Sequence, residues 1–109
     1  MECPFLRCRD RGCHAGRTEI VFSEEYGYGE AQELAGRVVA QLGLTVTHHI
    51  DGPDAWIWDV QGAGGQFVVG YNDFPPETTL WAANPESDRI VERLFHGLLE
   101  GADDASAER

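Results

Sequence analysis

Three cysteines and a histidine are the side chains best equipped for chemistry, and they lie together. The opening stretch "MECPFLRCRDRGCHAG" holds Cys3, Cys8 and Cys13, with His14 directly after the last. Zinc takes four tetrahedral nitrogen or sulfur ligands, and Cys3, Cys8, Cys13 and His14 supply that number. The spacing C-x4-C-x4-C-H has no C-x2-C knuckle, however, and neighbours such as Cys13 and His14 reach one ion only through a strained turn. Arg7, Arg9 and Arg11 beside the thiols would favour thiolate and make the cysteines reactive. The plainer reading is a flexible Cys/Arg-rich extension over residues 1–17. On that reading no cofactor is expected, and zinc at the N-terminal cysteines is the alternative.

The remaining titratable groups form no assembled catalytic set. His48 and His49 are adjacent in a segment that reads as a strand, so they point to opposite faces and cannot readily share a metal. Asp51 and Asp54 follow, and one carboxylate with one histidine would make a general base. No nucleophile accompanies them: Ser23, Ser87 and Ser106 lie in no elbow motif, and the body of the chain has no cysteine. The glycine-rich pieces "YGYG" and "QGAGG" are not the phosphate-binding G-x-G-x-x-G, and there is no lysine for a P-loop. Most carboxylates fall in loops, with no Asp/Asn spacing of an EF-hand. Asp59 stands apart, in a strand between Trp58 and Val60. Tyr26, Tyr28, Asp73 and Phe74 also lie in or beside loops, where aromatics next to acids make contact spots. Together with Asp59 they are the candidate binding residues.

The elements that must carry these residues follow from pattern. "TEIVF" (18–22) is a β-branched and aromatic strand. "EAQELAGRVVAQLG" places Ala31, Leu34, Ala35, Val38 and Leu42 on one helical face, and Gly43 is a natural stop. "LTVTHHI" (44–50), "AWIWDV" (55–60), "QFVVGY" (66–71) and "TLWAA" (79–83) read as strands. They are separated by "DGPD", the "QGAGG" hairpin loop, and a longer "NDFPPET" connection. Asn84 caps a second helix with Pro85 in its first turn; Ile90, Val91, Leu94, Leu98 and Leu99 are its stripe, and Gly101 ends it. The order is β-α-β-β-β-β-α. It predicts a single α+β domain over 18–101, a mostly antiparallel sheet with both helices on one face, and a disordered tail at 102–109.

Strand parity sharpens this. Pairing Val60 with Phe67 sets Trp58 opposite Val69 and Trp56 opposite Tyr71. Pairing Val69 with Trp81 would add Trp81 to the same aromatic core face. The other face would carry Ala55, Ile57, Asp59, Val68, Gly70, Leu80 and Ala82. It is small and half apolar, open to another copy or a partner. The element order resembles the TATA-binding-protein-like half-domain, and more loosely the helix-grip fold. That resemblance covers the body, rests on no motif, and implies a fold without a function.

Charge bounds the partners. The chain has 109 residues, no lysine and a formal net charge of −11. Residues 1–17 hold four arginines against Glu2 and Asp10, a net of +2, while residues 18–109 hold four arginines against 17 acids, a net of −13. Such a field repels a phosphate backbone and attracts basic proteins. No apolar run is long enough to span a membrane and no secretory signal is visible, so a cytoplasmic location with reduced thiols is expected. These readings converge on a non-enzymatic protein-binding or accessory domain, of the inhibitor or immunity kind toward a basic partner. A homodimer through the open sheet face fits the same surface. The alternative is a small-molecule binder or enzyme with a pocket between helices and sheet, lined by Trp56, Trp58 and Trp81.

Overall fold

Among the described residues, six antiparallel strands and two helices form the fold. The computed structural model describes residues 7–9, 18–73 and 76–107, with side chains for 18–73 and 76–98. The elements are β1 (Arg7–Arg9), β2 (Glu19–Ser23), α1 (Tyr28–Gln41), β3 (Thr45–Asp51), β4 (Ala55–Gly62), β5 (Gly65–Asp73), β6 (Pro76–Ala82) and α2 (Pro85–Ala107). From β2 onward the order is the expected β-α-β-β-β-β-α. Neighbours in the sheet run β1-β2-β6-β5-β4-β3. Thus β3 to β6 meander, and β2 returns to the far side of β6.

Both helices pack on one face. Ala31, Leu34, Ala35 and Val38 of α1, and Val91, Leu94 and Leu98 of α2, form one core with Ile20, Phe22, Trp56, Val60, Phe67, Val69, Tyr71, Leu80 and Ala82. The i, i+3, i+4, i+7 spacing of the α1 set is the reason that helix lies flat on the sheet. Asn84 caps α2, its Oδ1 accepting the Ser87 N–H at 2.8 Å.

The β4–β5 hairpin has the expected register: Val60 opposite Phe67, Trp58 opposite Val69, Trp56 opposite Tyr71. Its tip needs positive φ, found at Ala63 (54°) and Gly64 (84°), as a two-residue hairpin turn of the primed type requires. The β5–β6 register differs from the expected one. Val69 stands opposite Leu80, and Trp81 stands opposite Val68. Trp81 is therefore on the open face, while Leu80 and Ala82, expected there, are buried under the helices at 0% and 1% exposure. The strands meet earlier than expected: β6 starts at Pro76, which pairs with Asp73, and that sets the pairing one residue away. Proline is tolerated as the first residue of a strand, and a slip of one exchanges faces.

Two further elements depart from the sequence reading. Arg7–Arg9, placed in the N-terminal extension, pair with β2, Cys8 standing opposite Ile20. Helix α2 runs through Gly101 to Ala107 into the segment expected to be disordered. One glycine costs a helix only about 1 kcal/mol, and Ala102, Ala105 and Ala107 are strong helix formers. Among the described residues, no helix is long and apolar enough to cross a membrane.

Candidate functional site

The face of the sheet away from the helices is uneven, and that unevenness locates the site. On the β2 side it is closed: Glu19 and Val21, opposite Trp81 and Thr79, are fully buried. On the β3–β4 side it is open. Ile50 and Ile57 stand directly opposite each other in register and are 61% and 43% exposed. Two large aliphatics side by side in water forgo the gain of burial and form an apolar patch on the surface.

Between this pair and Trp81 lies a hollow of about 290 Å³ lined by Ala55, Ile57, Gly70, Asn72, Glu77 and Trp81. Gly70 makes the hollow. A Cβ on it would meet the Trp81 ring at 2.8 Å, so the half-buried indole lies against the bare backbone of β5. Asp59 lies on this same face, opposite His48 across the β3–β4 pair. A bulge between Val46 and His48 interrupts the pairing here, and the Thr47 hydroxyl donates to the Asp59 carbonyl at 3.2 Å. The surface thus has an apolar centre with a polar and acidic border, the composition of a protein contact patch.

The other candidates lie elsewhere. His49 is opposite Trp58 and His48 opposite Asp59, so the two histidines do face opposite ways. His49 Nδ1 is 3.3 Å from Asp51 Oδ2, with both side chains well exposed. Among the described residues, neither Ser23 nor Ser87 is free to join them as a nucleophile. Ser23 and Ser87 are buried and engaged with backbone, Ser23 Oγ accepting from the Glu25 and Tyr26 amides and Ser87 Oγ from Gln66.

Tyr28 and Asp73 belong to an aromatic end of the core, on Tyr71. Tyr28 donates its hydroxyl to the Gly52 carbonyl at 2.8 Å and meets Tyr71 edge-on at 5.8 Å. Trp56 stacks on Tyr71 at 5.9 Å and packs against Trp58 at 4.8 Å. The Tyr71 hydroxyl donates to Asp73 at 2.6 Å. Burial, and then that bond and the Asp73 charge, push the Tyr71 phenol up to about 12. Tyr26 is half-buried against the same core. A ligand pocket built on Trp56, Trp58 and Trp81 together does not form, because Trp81 is on the opposite face. Phe74 lies outside the described residues.

The metal set also lies outside them: Cys3, Cys13 and His14 entirely, and Cys8 except for its backbone in β1. Among the described residues, no three His, Cys, Asp or Glu side chains gather as a metal site would require. Sequence reasoning missed Trp81 as a surface residue. The signal for it was Gly70, an isolated glycine inside a strand pattern, which marks a close approach by another group.

A comparison with protein-family models finds no match, and comparisons with curated proteins and with solved structures find none either.

Proposed function

We propose that this chain is a protein-binding accessory domain that engages a basic partner through the open face of its sheet, centred on Ile50, Ile57 and Trp81. The observation that carries the reading is the exposed cross-strand pair Ile50–Ile57 beside the Trp81 hollow. Aliphatic side chains there, with Asp59 at the border, match the anatomy of a contact surface: apolar anchors inside a polar rim. The sign of the partner follows from the −11 net charge. Opposite charge accelerates encounter and suppresses wrong partners more than it adds affinity. Masking a basic protein in the manner of an inhibitor is one form this would take.

The test uses the purified full chain as bait in an extract of its own cells, followed by rebinding of each retained protein in pure form. The comparison baits are the double variant Ile50→Glu/Ile57→Glu and a control, Glu92→Gln, on the exposed side of α2. The expected result is a basic protein that rebinds, weakens steeply as salt rises, and is lost with the double variant but not with the control. A rebinding partner that is indifferent to salt, or to the double variant, overturns the reading, as does the absence of any protein that rebinds.

A further inference from the structure

The two edges of the sheet are finished differently. On one side β2 is paired with β1, a three-residue strand too short to template another chain. On the other side, among the described residues, β3 pairs with β4 alone, and all seven of its residues are exposed. It contains no proline and no lysine, and its single protective device is the bulge at Val46–His48.

The hydrogen-bonding phase of this edge can be read from its turn. The Gly52 N–H donates to the Ala55 carbonyl at 2.8 Å, which makes Gly52 and Ala55 a hydrogen-bonded pair. Pairs alternate along an antiparallel ladder. Ile50–Ile57 and His48–Asp59 are then bonded pairs, whereas the N–H and C=O groups of His49 and Asp51 point away from β4 into solvent. Beyond the bulge, the outer edge of the His48–Asp51 segment is a template that borders the exposed Ile50–Ile57 pair.

We propose that β3 receives an extended segment of the basic partner as an added strand, bonded to the outward amides of His49 and Asp51. This deepens the reading of the open face and rests on it. The occupant has a defined pattern. Its residue beside Ile50 lies on the open face and is apolar, continuing the Ile50–Ile57 patch. Its residue beside Asp51 lies on the helix side and is an arginine or lysine, facing Asp51 and the turn residue Asp54. Backbone bonds supply affinity and the alternating side chains supply choice, as in other strand additions. A second copy of the chain is the less suitable occupant, since it brings one net −11 body against another.

The probes are three short synthetic peptides titrated into the isotope-labelled full chain and followed by amide shifts and hydrogen exchange. One alternates isoleucine with arginine, one alternates isoleucine with glutamate, and one is the arginine peptide N-methylated on the backbone so that it cannot join a ladder. The expected result is slowed exchange at His49 and Asp51 with the arginine peptide. The other two peptides should bind weaker by at least about tenfold, or 1.4 kcal/mol. Equal binding by the N-methylated peptide overturns the proposal. So does a response at Ile57 and Trp81 with no protection at His49 and Asp51, although the open-face reading then survives. No response at either place removes this strand and leaves the open face to the capture experiment. Protection of His49 and Asp51 without peptide, rising with protein concentration, would assign the edge to a second copy.

Discussion

Strands β2 and β3 begin from similar sequence and end in opposite environments. "EIVFS" is buried at every position and "TVTHHID" is exposed at every position. Both are rich in β-branched residues, and both pass for strands on pattern alone. The difference lies in what flanks them. β2 sits between β1 and β6, under the helices, with a bulge between Val21 and Ser23 around Phe22, which is buried in the core. β3 has β4 on one side and water on the other. A strand's propensity therefore says that it will pair; its place in the sheet decides whether it stabilises the fold or is held by it.

Truncation breaks the comparison most sharply. Phe22→Ala removes a fully buried ring and should cost about 3–5 kcal/mol, a large share of the roughly 5–15 kcal/mol that holds a domain together. Ile50→Ala should stay within about 0.5 kcal/mol, as surface changes do. Denaturant midpoints of the two variants measure the gap, and comparable losses would mean that β3 carries more of the core than its exposure allows.

A smaller effect comes from pH at the aromatic end, where Tyr28 holds the turn that follows β3. The Tyr71 phenol lies above its unfolded value, so its contribution is fully present below about pH 10. It is lost as pH rises toward about 12, because the unfolded chain gives up the proton first. Stability should fall across that window. Phenol absorbance should show the Tyr71 phenol ionising only as pH approaches about 12, and Asp73→Asn should bring its titration down. A Tyr71 that titrates at about pH 10, the ordinary phenol value, would break this assignment.

The smallest effect is at the His49–Asp51 pair. Because both groups are well exposed, Asp51→Asn should change stability by less than about 0.5 kcal/mol. A larger loss in thermal unfolding would mark β3 as more firmly tied than β2's partner by contrast suggests.

The same two strands show what was legible in the sequence. Element order, the helix faces and the β4–β5 register could be read because local rules fix them: 3.6-residue periodicity, an Asn–Pro helix start, and a glycine-rich two-residue turn. The side of Trp81 could not be read the same way. It depended on whether Pro76 joins β6, and one residue of slip at that turn carries an indole through the sheet. The exposure of β3 was likewise out of reach, since edge and centre differ only in neighbours supplied by distant segments. Of the proposed contact surface, Ile57 and Asp59 were placed on the open face from alternation alone. Ile50 and Trp81 joined them only once the sheet order and the turn at Pro76 were known.

The short β1 has one more implication. Growth of sheets into filaments needs two adhesive ends per molecule, so that each arrival leaves a fresh end behind. Here one end is blunted by a three-residue strand, and the other is usable only beyond the Val46–His48 bulge. Such a molecule is monofunctional in the polymer chemist's sense. Whatever strand it receives at β3, the blunted β1 edge offers no second end from which a stack could grow.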